Sequence, residues 1–217
     1  MNKNIIIVLV VAVVAIAIVC GVYVSGFITS EETGTPFNNN IMSGKFVGNV
    51  SNVKNPDNWS ASYFDKVNNI EYNMSSVKNA SFLVEFYSLQ GWVGPEHRTY
   101  NDQDWDIYST TGKETNNTNA SIQLYMCVAN KENQSYIIYV IFHNPTEVSA
   151  TNDVFCDAFE GYVAPLLSSL TLKHNSTVPA LNEIFGVDQA VLDNSANLVK
   201  EAKKGNYTAY QQLVGTA

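Results

Sequence analysis

The sequence predicts an α+β fold: an N-terminal transmembrane helix, then an antiparallel β-sheet packed with helices, and a short C-terminal helical tail. Three observations carry that expectation. Residues 5–24 read IIIVLVVAVVAIAIVCGVYV without a charge, long enough to cross the ~30 Å hydrocarbon core of a bilayer as one helix. Residues 122–128 alternate Ile122, Leu124, Met126 and Val128 with Gln123, Tyr125 and Cys127, pause at polar residues 130–133, and resume as YIIYVIF at 136–142. That is the pattern of a β-hairpin. Beyond Pro145 the apolar period lengthens to that of a helix.

Only Lys3 and the terminal amine precede the apolar run, and Glu31 and Glu32 follow it. The positive-inside bias therefore sets the N-terminus in the cytoplasm and the remainder outside, as a single-pass protein of the cell membrane. The run exceeds the 7–15 residues of a signal-peptide core and keeps β-branched residues to its outer end, which favours a retained anchor over residues 1–28. Cleavage at the box formed by Val24, Ser25 and Gly26 is the competing reading and would secrete the domain. Cys20 suits a membrane helix as a small apolar filler, because Val19 and Ile18 occupy positions where a lipid-modified cysteine wants small residues.

Residues 29–42 carry Gly, Pro, Thr and the triplet Asn38, Asn39, Asn40 with no apolar period, and are expected to form a flexible stalk. The extracytoplasmic domain is then expected over 43–174. Residues 44–53 suggest a first strand, closed by the turn chemistry of Asn55, Pro56, Asp57 and Asn58. Residues 63–74 fit helical and strand spacing equally. Residues 82–89, rich in aromatic and branched side chains, predict a strand, broken by Gly91, Gly94 and Pro95. A shorter strand follows at 105–110, then a Gly/Asn/Thr loop and the hairpin. Its second arm is apolar on both faces, as a strand covered on both sides requires. In the helix that follows, Pro165 must kink or restart the backbone. Residues 175–217 are expected as the helical tail, with short helices stopped by Gly186 and Gly205.

Pro56, Asp57 and Trp59 in the first turn, the strand at 136–142, and the SSLTL run at 168–172 resemble a PsbP-like domain. This is an extracytoplasmic α/β sandwich of membrane-anchored proteins of the kind found in methanogens, here over residues 44–172. The resemblance implies an antiparallel sheet with helices on its faces and a binding or assembly role. It carries over no catalytic residue, since a fold does not dictate a function.

A net charge of −8 with no basic cluster beyond Lys200, Lys203 and Lys204 excludes a nucleic-acid partner, which needs a basic field. The partners expected are the membrane itself and an envelope protein or carbohydrate; no cofactor is expected. N-x-[ST] sequons occur at Asn49, Asn58, Asn73, Asn79, Asn116, Asn119, Asn133, Asn175 and Asn206, all on the outer side of the apolar run. They are candidate glycosylation sites.

Candidate chemistry is sparse. Asp102, Asp104 and Asp106, which alternation would place on one strand face, stand beside Glu96 and His97 and could offer oxygen ligands to a hard cation. Calcium-loop spacing fails, because Ile107 stands where Gly is needed and Lys113 where the bidentate Glu belongs. An acidic, water-facing strand start is the simpler reading. His97, His143 and His174 lack any second ligand at helical spacing and are expected as solvated loop or strand-end residues. No Gly-x-Ser-x-Gly elbow or Ser-x-x-Lys occurs, so no catalytic residue is assigned. Cys127 and Cys156 are the thiols outside the membrane and form a candidate disulfide; two buried free thiols are the alternative. Tyr63, Tyr72, Tyr87, Trp92, Tyr100, Trp105 and Tyr108 would suit a binding groove or the core. The expected function is a non-catalytic binding or assembly module of the cell envelope. The rivals are an envelope hydrolase assembled around Glu96, His97 and Asp104, and a glycosylated structural surface protein.

Overall fold

The computed structural model describes residues 34–54, 58–113, 121–143, 145 and 157–214. The expected anchor with Cys20, and Pro56, Asp57, Asn116, Asn119 and Cys156, lie outside the described residues. Among the described residues no helix is long and apolar enough to cross a membrane.

The chain is α+β. Its strands are β1 (Pro36–Asn38), β2 (Met42–Lys45), β3 (Val50–Lys54), β4 (Ser60–Asp65), β5 (Ile70–Val77), β6 (Val93–Tyr100), β7 (Gln103–Lys113), β8 (Ser121–Lys131), β9 (Gln134–His143) and β10 (Thr171–Leu172). The helices are α1 (Ser81–Leu89), α2 (Ala164–Ser169, entered through a π-helical turn at Phe159–Val163), α3 (Leu181–Phe185), α4 (Gln189–Lys203) and α5 (Tyr207–Val214). Seven strands form one antiparallel sheet in the order β3-β4-β5-β9-β8-β7-β6, and β1-β2-β10 form a smaller one.

The doubly apolar arm is β9, at the centre of the large sheet. Tyr136, Ile138, Val140 and Phe142 enter a core on one face, with Tyr72, Trp105, Tyr125 and Cys127. The small sheet, the π turn and α2 cover this first face through Ile41, Met42, Phe46, Phe159, Val163, Leu166 and Leu167. Ile137, Tyr139 and Ile141 enter a separate core on the second face, covered by α1, α3, α4 and α5. Alternation along β9 thus feeds two cores at once. Pro165 lies in the first turn of α2, where a missing donor costs nothing, and the π turn precedes it.

Five local expectations differ from the structure. Residues 44–53, expected as one first strand, are divided between β2 and β3, which lie in different sheets. Residues 82–89 form helix α1, not a strand. Its buried residues, Phe82, Leu83, Phe86 and Tyr87, follow i, i+1, i+4, i+5 spacing, and both faces of the supposed strand were apolar, so true alternation was absent. Asn79 Oδ1 also accepts the Ser81 N–H at 2.8 Å, opening the helix. The end of the expected stalk is folded: Ile41 and Met42 are buried, and Asn39 Oδ1 accepts their N–H groups at 3.0 and 2.9 Å while its Nδ2 donates to the Tyr63 hydroxyl. An Asn-rich run without a period reads as flexible, yet here one Asn side chain substitutes for backbone partners. The break at Gly91–Pro95 instead leads into β6. Gly94, with φ 123°, packs where an added Cβ would come within 2.6 Å of the Ile107 carbonyl, so glycine is required. The expected tail is integral to the sheet: Leu181, Phe185, Leu192, Val199 and Leu213 are buried in the second-face core.

Burial shapes the protein's pH response. Desolvation pushes the Tyr87 and Tyr108 hydroxyls up to about 12, and Tyr72 and Tyr139 higher still. The folded state therefore holds these protons more tightly than the unfolded chain, whose tyrosines ionise near 10. Their contribution to stability is complete below pH 10 and is lost as pH climbs from 10 through the folded values. Thermal melts across pH 8 to 12 are expected to show a flat midpoint followed by a fall beginning near 10.

Candidate functional site

The β6–β7 hairpin gathers the acidic stretch. It turns through Asn101 and Asp102, both at positive φ (48° and 58°), as two-residue hairpin loops require. Across it, His97 faces Asp106 and Thr99 faces Asp104, while Glu96 faces Ile107 and Arg98 faces Trp105. The His97 Nδ1 and Asp106 Oδ1 atoms are 2.6 Å apart, and the Thr99 hydroxyl donates to Asp104 Oδ1 at 2.7 Å.

The alternating pleat then divides the candidate ligands. His97, Asp104 and Asp106 share the second-face side, Glu96 lies on the first-face side, and Asp102 sits in the turn. The expectation that Asp102, Asp104 and Asp106 share one strand face is corrected, because the chain reverses at Asp102. Among the described residues, no three His, Cys, Asp or Glu side chains are grouped to hold a metal ion. The trio Glu96, His97 and Asp104 does not converge either.

A second cluster was not anticipated. Glu71 lies on β5 between Ile70 and Tyr72, pointing to the second face with Asn73. Its Oε1 accepts from Asn73 Nδ2 at 2.8 Å, and its Oε2 lies 3.3 Å from His143 Nε2. The two side chains are 6% and 14% exposed, and the Phe64 ring meets the imidazole edge-on. His143 is thus a largely buried partner of a carboxylate, which corrects its reading as a solvated strand-end residue. The signal available in the sequence was Glu71 itself, a charge between Ile70 and Tyr72, both of which are fully buried. The cluster fixes the imidazole's orientation and, with Asn69 Nδ2 donating to the His143 carbonyl at 2.8 Å, locks the end of β9 to β5. His174 remains exposed, 3.3 Å from Glu132.

Of the two roles open to the aromatic side chains, groove or core, the structure gives the core: Tyr63, Tyr72, Tyr87, Trp105 and Tyr108 are buried, and Trp92 and Tyr100 are partly buried. Cys127 is a buried free thiol, its pKa raised by desolvation; its proposed partner Cys156 lies outside the described residues.

The sequons sort by exposure. Asn49, Asn58, Asn79, Asn133 and Asn206 are exposed. Asn175 is partly buried and its Nδ2 donates to the Asn58 carbonyl at 2.7 Å. Asn73 is buried, with the nitrogen a glycan would occupy bonded to Glu71. Peptide mass spectrometry of the native protein is expected to find Asn73 unmodified; a glycan there would require β5 to leave the sheet.

No family model and no curated protein matches this chain. Among solved structures, it is similar to a protein from Bacteroides thetaiotaomicron VPI-5482, at 11% identity and a TM-score of 0.46, over 84% of this chain and 69% of that one.

Proposed function

We propose that this chain is a single-pass, membrane-anchored extracytoplasmic module of the cell envelope, PsbP-like in build, that binds or assembles with other components and is not a catalyst. The observation that carries this reading is the β6 edge of the large sheet, which no other strand pairs among the described residues. Every residue of β6 from Val93 to Thr99 is exposed, and an edge strand presents unpaired N–H and C=O groups that can take up another strand. The uncharged run at 5–24 supports the anchor by its length, and ten residues separate it from Thr35, which bonds to Gly48 within the fold. The fold would thus stand no more than about 35 Å from the membrane surface. The acidic net charge supports a protein or carbohydrate partner over nucleic acid.

The envelope-hydrolase rival loses its proposed site with Glu96 on the opposite face from His97 and Asp104. The exposed Asn79 and Asn133, close to the same end of β5 and β9, favour the glycosylated surface protein as a second reading. Carbonate washing is expected to leave the full-length chain in membranes. Recovery of a soluble species beginning near Phe27 would overturn the anchor.

A further inference from the structure

The β6 edge has a specific register for pairing with itself. The two-residue turn makes Tyr100 and Gln103 a hydrogen-bonded pair, and alternation along the hairpin commits the backbone groups of Arg98 and Glu96 to β7. The N–H and C=O groups of His97 and Thr99 are therefore turned outward. A second strand must bond to those two residues.

Side-chain charge then selects among the two-fold registers. Centred on His97, each Glu96 lies opposite the Arg98 of the other chain, twice over, on the same side of the sheet. Centred on Arg98 or on Glu96, the register sets like charges directly opposite each other; centred on Thr99, it sets Arg98 against Tyr100 and runs Glu96 off the end of the partner strand at the turn. Like charges across strands are destabilising and opposite ones stabilising. Only the His97 register is complementary. On the other side of the sheet the two imidazoles meet, each held by an Asp106 2.6 Å away.

We propose that β6 is a homotypic pairing edge whose occupant is β6 of a second copy of this chain, in antiparallel register about His97. This names the partner for the assembly role and rests on that reading. The pairing is short: a bulge lies between Val93 and Glu96, and Pro95 can accept a bond from Thr99 but has no N–H to return one. Two anchors in one membrane raise the effective concentration enough for such a short edge to associate. The symmetry permits it. A two-fold axis through an antiparallel strand pair runs perpendicular to the sheet, so both first faces, with β1 and the entry of each chain, lie on the same side.

The test uses the full chain in detergent and in membranes. In His97→Cys, copper-catalysed oxidation is expected to give a disulfide-linked dimer above the background of the unsubstituted chain, because residues directly opposite in an antiparallel pair fall within disulfide reach. In Thr99→Cys, whose two copies are offset by four residues, no such gain is expected. Arg98→Glu is expected to lower the yield of the His97→Cys dimer about tenfold, Glu96→Arg likewise, and the double swap Glu96→Arg with Arg98→Glu to restore it. Mixing the two single-charge variants is expected to recover a heterodimer. Each variant is checked by its melting midpoint, which an exposed edge should leave near that of the parent. Equal crosslinking at 97 and 99, no gain at 97, or indifference to Arg98→Glu in folded protein would overturn the pairing. Carbonate partition of the same samples reports separately on the anchor, so a membrane-integral chain that fails to pair sinks only this inference.

Discussion

A chain ending at His174 is expected to lose cooperative unfolding and to aggregate, although every strand of the large sheet is retained. The deletion removes Leu181, Phe185, Leu192, Val199 and Leu213 from the second-face core and uncovers Met126, Tyr139 and Ile141 on β8 and β9. Burying one large aliphatic or aromatic side chain is worth about 1.5–3 kcal/mol. Five of them together rival the ~5–15 kcal/mol net stability of a whole domain. Circular dichroism melts and size-exclusion chromatography of the truncated and full chains in the same detergent check this. A monomeric truncated chain with a sharp melt would show that the first-face core suffices.

The second large effect is expected at Trp105, which is fully buried on the first face and whose indole N–H has no hydrogen-bond partner among the described residues. Trp105→Ala is expected to cost about 3–5 kcal/mol, the transfer term plus that of the cavity left between β7 and the layer above it. Trp105→Phe is expected to cost far less, because it keeps an aromatic filler and removes an unsatisfied donor. Denaturant melts measure both. Equal losses in the two variants would mean that the indole N–H is satisfied in the folded protein.

How much was legible in the sequence depended on whether local pattern and tertiary role agreed. The β8–β9 hairpin was legible because its alternation and its central position demand the same residues. The helix after Pro145 was legible at Phe159, Val163, Leu166, Leu167 and Leu170, all buried on the first face. Helix α1 was not, because Phe82, Val84 and Phe86 imitate strand alternation within its helical spacing, and its aromatic content pulled toward strand. The Asn39 network was illegible since a polar residue that replaces backbone partners looks like a linker residue. Glu71 and His143 lie 72 residues apart, and only the β5–β9 pairing brings them together. The edge position of β6 was equally hidden, because strand order is a property of the assembled sheet and not of any segment. Within β6 the residues themselves, Glu96, His97 and Arg98, were on view, but their neighbours across an edge were not.

The strand order also sets when this protein can fold. β5 pairs with β9, so Ile70 must wait for Phe142, and β2 pairs with β10, so Met42 must wait for Leu172. The second-face core closes only with Leu213. Contacts this distant in sequence make for slow folding. A chain emerging N-terminus first thus cannot close its second-face core until its last helices emerge. During that interval YIIYVIF at 136–142, seven residues without charge, proline or glycine, is uncovered and has the makeup of an aggregating segment. Production of the protein should therefore be limited by the survival of this strand in the unfinished chain, and an added holding chaperone should raise yield more than any stabilising change in the finished fold.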